Sequence, residues 1–362
     1  MASRRPQGSL RRGWTTGACA AAAAKAAYQA LLTGAFPDPV TLTLPRGETP
    51  AFALSRKEIA AGHATAAVVK DAGDDPDVTH GAEIVARVVR GTPGAGVTFH
   101  AGAGVGTVTR PGLPLAVGEP AINPMPRRMI AAAIGEVAVA CGGSGDAAVT
   151  VAIPGGETLA RKTSNGRLGI VGGLSILGTT GVVIPYSCAS WIASIRRGID
   201  VARAAGLTHL VAATGRTSED AARRLTGVEE TALIDMGDFA GGVLKYLRQR
   251  PVARLTIAGG FAKLAKLAQG HLDLHSSRSR LDLPRLATLL EDLGAALEAV
   301  ERARLSPTAL GVLQAAGDLG PRLAALTAAR AREAARAILS GQTAVDVLVV
   351  DREGRVIGHA GN

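Results

Sequence analysis

The 362-residue sequence predicts two folded parts of different class: a glycine-rich α+β domain, then an α/β domain built on a parallel sheet. Three observations predict this. In the first half the apolar stretches are short and cut by Gly and Pro, as strands joined by turns are. In the second half strand and helix alternate three times, which suits parallel crossovers. The texture changes between Ser187 and Arg203. The expected divisions are a disordered extension over 1–9, the α+β domain over 10–195, the α/β domain over 196–340 and a C-terminal hairpin over 341–362.

Hydrophobic residues make up 47% and charged residues 19%, with a mean hydropathy of +0.21, enough apolar surface for a sizeable core and too much for a disordered chain. Cys19, Cys141 and Cys188 form no C-x-x-C pair, which argues against a disulfide framework or a zinc knuckle and fits a reducing, cytoplasmic setting. Arg11-Arg12 and the alanine run Ala18 to Ala24 imitate an export signal. Lys25 interrupts the run, which falls short of the ~20 residues of a membrane span, so a cytosolic helix and no membrane contact are expected.

Thr15-Thr16-Gly17 supplies a hydroxyl to cap the helix starting near Ala18. Val40 to Leu44, Thr65 to Val69, Val97 to His100 and Ala148 to Ile153 read as strands, and Arg127 to Ala140 as a helix entered through Pro124-Met125-Pro126. In the second half, His209 to Ala213 leads through Thr214-Gly215 to a helix reaching Arg224. Thr231 to Asp235 leads through Met236-Gly-Asp238 to another, and Leu255 to Ala258 through Gly259-Gly260 to a third. This is a Rossmann-like parallel arrangement, in which the turns after the strands carry the ligand. Leu281 to Arg304 and Ala309 to Leu339 read as helices. Val345 to Val350 and Val356-Ile357 flank the turn Asp351 to Gly354 as a hairpin expected to return to the first sheet and intertwine the domains.

Several segments carry chemistry. Lys70 to Gly81 sets Asp71, Asp74, Asp75, Asp77 and His80 after an apolar strand. A solvated loop of Asx turns, a Mg²⁺ site, and acid/base chemistry tuned by Lys70 all stay open. Gly102, Gly104 and Gly106 lack the spacing of phosphate-binding loops, and close packing in a hairpin explains them better. Lys162 to Gly181 joins two cations and Asn165 to many glycines, which favours a binding surface. Asp235 lies twenty positions after Gly215, the spacing of a ribose-binding acid, while the glycines for a dinucleotide pyrophosphate are missing. His271 and His275 stand four apart, as metal ligands on a helix do, but Leu272 replaces the metalloprotease Glu, and no protein-bound metal is expected.

Taken together, Leu10 to Ala21, Lys70 to Gly81, Gly118 to Pro124 before Pro126-Arg127, Lys162 to Gly181, Met236-Gly-Asp238, and Ala262 to Gly270 leading to His275 resemble the cobalt-precorrin-5B C(1)-methyltransferase (CbiD) family of cobalamin biosynthesis. The chain departs from the family pattern at Phe261, in place of a polar or basic residue, and at Leu274, in place of a hydroxyl. The resemblance implies transfer of a methyl group from S-adenosylmethionine to carbon 1 of a corrin-type ring, giving the precorrin-6A stage. Such a ring is fringed with carboxylates, which gives the net charge of +10 a purpose. An in-line displacement needs position and dryness more than a nucleophile, so Asp71, Asp75 and His80 are expected at most to assist.

For the donor, the strand-turn-helix reading assigns Thr214, Gly215, Asp235, Asp238, Gly259 and Gly260. For the anionic ring that the resemblance implies, Lys70, Arg127, Lys162, Asn165, Arg167 and His275 are expected as carboxylate or polar contacts. Two functions of other classes compete. One is an ATP-dependent small-molecule kinase, from Gly102 to Gly106 and Asp71 to Asp77. The other is a nucleic-acid-binding protein, from charge alone, against which the 3% aromatic content counts. Self-association and transient contact with neighbouring pathway enzymes are left open.

Overall fold

The computed structural model describes residues 9–361. Of the expected N-terminal extension, residues 1–8 lie outside the described residues, and Ser9 is exposed without regular structure. The chain divides into two units between Ser187 and Cys188. The expected boundary at 195/196 falls inside the helix Cys188–Ala204. That helix belongs to the second unit because Ile195, Ile199 and Ala202 are buried in its core.

The first unit is built on a five-stranded sheet in the order Arg56–Ala60, His63–Val69, Glu83–Arg90, Ala147–Ala152, Val97–Ala101. Only the last pair is parallel. Ala64, Ala66 and Val68 pair with Val88, Ala86 and Ile84, and all six face one core. Against them lies the helix Thr16–Thr33, on which the helix Pro124–Cys141 packs. Thr15 caps the first helix, its Oγ1 accepting from the Ala18 N–H at 3.2 Å, and Gly34 ends it at φ +78°. Ala18 and Ala20 to Ala24 are wholly buried, so the run is the middle layer of a sandwich, where short side chains allow sheet and helices to approach closely.

Glycine does comparable work between loops. Gly104 has φ +75°, and a Cβ there would lie 1.9 Å from the Ile153 carbonyl oxygen; one at Gly173 would lie 2.3 Å from that of Gly104. The Leu174 N–H donates to the Gly104 carbonyl at 2.8 Å and the Gly106 N–H to the Leu174 carbonyl at 2.9 Å. Gly102 to Gly106 is therefore close packing, though not in a hairpin, because Val97–Ala101 and Thr107–Val108 belong to different sheets. Within Lys162 to Gly181, Gly173, Gly178 and Gly181 are closed by Gly104, Thr15 and Leu44 and serve backbone packing, whereas Gly166 and Gly172 border open space.

The second unit holds a five-stranded sheet in the order Leu233–Asp235, His209–Ala213, Arg254–Gly260, Ala344–Val350, Val356–Ala360. The first four strands run parallel and the last antiparallel. The C-terminal hairpin completes this sheet and does not return to the first unit. Val345 to Val350 are buried on both faces, which an inner position satisfies, and the strand pairs along its whole length with Arg254–Gly260.

One face of this sheet, with Val211, Ala213, Ala258 and Leu348, is covered by the helix Arg216–Thr226 through Ala221 and Ala222. The other, with Ala212, Ile257 and Val347, is covered by the helices Cys188–Ala204, Ala240–Gln249, Phe261–Ala268 and Gly320–Leu339. The first crossover thus passes over one face and the next over the opposite one. Strand order reverses between His209–Ala213 and Arg254–Gly260. The two long helical readings each break at glycine: Gly294 (φ +75°) separates Leu283–Asp292 from Leu297–Leu305, and Gly317 (φ +52°) precedes Gly320–Leu339, whose first turn carries Pro321. Among the described residues no helix is long and apolar enough to cross a membrane.

Candidate active site

In the first unit the acidic loop is closed by its own chain. The Arg11 guanidinium grips Asp71 with two nitrogens, Nη2 at 2.9 Å from Oδ1, while the Arg11 N–H donates to Asp74 at 2.6 Å. The Trp14 N–H donates to the Asp71 carbonyl at 2.7 Å. Hydrogen bonding from Arg11, then from the Gly73 N–H, holds the Asp71 carboxyl down at about 2. A carboxylate so stabilised is a poor base, and with Arg11 it forms a clasp.

Lys70 is corrected. Its side chain is 2% exposed and its ammonium donates to Asp77 and, at 2.5 Å, to Thr79 Oγ1, so it cannot meet a ligand from outside. Burial pushes the Asp77 carboxyl up, but the charge and hydrogen bond of Lys70 outweigh it, and the group sits below its ordinary range. Asp75 Oδ1 accepts from the Tyr186 N–H at 2.8 Å. His80 is exposed, and its Nδ1 accepts from the Ala72 N–H at 3.1 Å. In the neutral ring that contact leaves the proton on Nε2, so His80 presents a donor.

Of the residues assigned to the anionic ring, Lys162 is exposed and Arg167 half-buried. Asn165 is buried: its Nδ2 donates to the Gly173 carbonyl at 3.1 Å and its Oδ1 accepts from Ser175 at 3.4 Å. Arg127 is largely taken up, with Nε donating to the Ile122 carbonyl at 2.8 Å, Nη2 to Glu119 at 2.7 Å, and its guanidinium 5.3 Å from the centre of the Phe99 ring. Both order the loops that carry their neighbours.

In the second unit the residues assigned to the donor gather at the carboxyl ends of the parallel strands. Thr214 and Gly215 follow His209–Ala213, Gly259-Gly260 ends the adjacent strand, and Asp235 ends the edge strand. Gly215 and Gly260 each stand at the N-terminus of a helix, and a Cβ on either would meet no atom within 4 Å, so both backbones border open space. Gly259 instead packs against Thr214, where a Cβ would come within 2.9 Å. Lys263, absent from the sequence assignment, bridges the crevice: its Nζ donates to the Thr214 carbonyl at 3.1 Å and lies 3.2 Å from Asp238 Oδ1. That oxygen is buried and lacks a partner of hydrogen-bond geometry. The signal for Lys263 was its place one turn into the helix opened by Gly259-Gly260.

His271 and His275 lie in the loop after that helix, not on it, which corrects their helical reading. His275 is exposed, its Nδ1 accepting from the Ser277 N–H at 3.2 Å. Among the described residues no group of three or more His, Cys, Asp or Glu is gathered as metal ligands.

Residues 3–185 match the model of the CbiD family, and residues 273–361 that of the CbiD C-terminal domain. The chain belongs to the CbiD family. Two relatives are named cobalt-precorrin-5B C(1)-methyltransferase. That of Bradyrhizobium sp. is 61% identical over 96% of this chain and 93% of its own. That of Paramagnetospirillum magneticum is 60% identical over 97% and 98%. A crystal structure described as cobalamin biosynthesis protein (cbiD) from Archaeoglobus fulgidus is 29% identical, covering 75% of this chain and 84% of that one, with a TM-score of 0.41. In this CbiD chain the carboxyl-edge residues 214–260 fall between the two matched segments. Phe261 and Leu274 are both buried in the core of the second unit.

Proposed function

We propose that this chain is an S-adenosylmethionine-dependent C-methyltransferase that methylates carbon 1 of cobalt-precorrin-5B in cobalamin biosynthesis. The observation that carries the reading is its near-full-length similarity, at 61% identity, to a protein of that name. Physical fit supports the donor assignment. The reversal of strand order between Ala213 and Gly260 is the place where open, Rossmann-like parallel sheets receive ligands. There the chain offers two open helix N-termini at Gly215 and Gly260, and two acids, Asp235 and Asp238, for ribose hydroxyls.

The donor supplies a methyl group on a positively charged sulfur. The chain's own work is to hold both reactants in line and exclude water. Lys263 balances Asp238, so the crevice offers an acid without a surplus of negative charge. For the macrocycle, the first unit offers Lys162 and Arg167 as cations for peripheral carboxylates and His80 as a polar contact; His275, exposed in the second unit, is a separate candidate contact. Arg127 and Asn165 position the loops around them. Asp75 is the carboxylate assigned to assist proton loss from the ring. The kinase reading loses its support, since Gly102 to Gly106 is closed by packing and leaves no cradle for phosphates.

Asp235→Asn and Asp238→Asn test the donor site. Each is expected to weaken S-adenosylhomocysteine binding about tenfold by calorimetry, the loss of a hydrogen bond to a charged group. Unchanged affinity in both variants would remove the assignment.

A further inference from the structure

The sequence contains two tryptophans, Trp14 and Trp191, and Trp191 is 45% exposed. An indole combines a broad apolar face with a polar N–H. The ring is not loose. Its Nε1–H donates to the Asp235 carbonyl at 3.2 Å, and a Cβ at Gly237 would press on Nε1, Cε2 and Cζ2 at 3.3 Å each. Phe239 supports it, ring centres 6.4 Å apart and planes tilted by 46°. The turn Asp235 to Phe239 therefore holds the indole in place at the carboxyl end of the edge strand. The same turn bears Asp235 and Asp238.

We infer that Trp191 is the stacking surface for the adenine of the methyl donor. The inference rests on the donor site proposed above and adds a residue to it. A base is joined directly to its ribose, so a nucleoside whose hydroxyls meet Asp235 carries its base within reach of a ring anchored to the carbonyl of Asp235. Adenine has a π-face and is planar, which an oriented indole recognises without any hydrogen bond. The macrocycle also has π-faces, but its carboxylate fringe calls for cations, whereas what holds this indole is a carbonyl, a glycine and a phenyl ring.

The test uses the full chain and two ligands, S-adenosylhomocysteine and 5′-methylthioadenosine, the second lacking the amino-acid group. In Trp14→Phe protein, where Trp191 is the remaining indole, both ligands are expected to quench the fluorescence. By calorimetry Trp191→Leu should bind both ligands tenfold or more weakly, whereas Trp191→Phe, which keeps a ring, should lose less than threefold. Calorimetric binding with unmoved Trp191 fluorescence, or undiminished affinity in Trp191→Leu, overturns the inference and leaves the donor site standing. Quenching by a corrin but by neither nucleoside overturns it as well. Failure of the wild-type chain to bind either nucleoside removes the donor reading itself, and the inference with it. The Trp14→Phe titration decides the matter even where Trp191→Leu does not fold.

Discussion

Arg11 sits five residues before the first helix, yet its guanidinium fixes the state of Asp71, sixty positions along the chain. The sign of its pH dependence follows directly. The folded carboxyl lies at about 2 against an ordinary 3.8, so the clasp contributes fully above the ordinary value and is lost as pH falls toward 2. Wild-type protein should lose stability through that window in an acid titration followed by circular dichroism. Arg11→Ala should be less stable near neutrality and show a flatter acid limb; an unchanged limb would contradict the clasp. At this scale the sequence was only partly legible. The acidic loop announced itself through its crowd of carboxylates, but whether Lys70 faces a ligand or is buried against Asp77 depends on the packing of the strand before it, which no local spacing encodes. Lys263 and Trp191 were missed for the same reason, since their partners Asp238 and Asp235 lie 25 and 44 positions away.

Small residues shape the elements. The alanine helix stands between the sheet and the helix Pro124–Cys141, so Ala22→Leu should overpack this layer and cost about 1–3 kcal/mol. Gly104 and Gly172 form a sharper pair. Both have positive φ, but a Cβ at Gly104 meets a carbonyl oxygen at 1.9 Å and one at Gly172 meets nothing. In urea denaturation Gly104→Ala should lose about 3 kcal/mol or more and Gly172→Ala about 1 kcal/mol. Equal losses would show that backbone conformation, not close approach, sets the cost. The cap at Thr15 and the strand His209–Ala213 were legible because hydroxyl capping and short apolar runs are local signals. The breaks at Gly294 and Gly317 were hidden because glycine within an amphipathic run reads as a tolerated defect until its φ is known.

For the whole molecule, the change of texture lies between Ser187 and Arg203, and the chain divides at the near end of that span, between Ser187 and Cys188. Alternation of strand and helix marked the parallel order within the second. The destination of the C-terminal hairpin was not legible, since strand pairing across some ninety residues leaves no trace in either strand beyond its apolar faces. Its true place matters, because the strand Ala344–Val350 extends the sheet beyond Arg254–Gly260, and the reversal of strand order therefore falls inside the sheet, with the residues proposed for the donor on either side of it. The proposed function comes down to one claim: this chain methylates carbon 1 of the corrin-type ring. Incubation with the precorrin-5 stage intermediate and S-adenosylmethionine carrying a ¹³C methyl, with the product read by NMR, tests it directly. The label is expected on carbon 1 of the product. Label at another ring position, or none transferred by protein that binds both compounds, would contradict it.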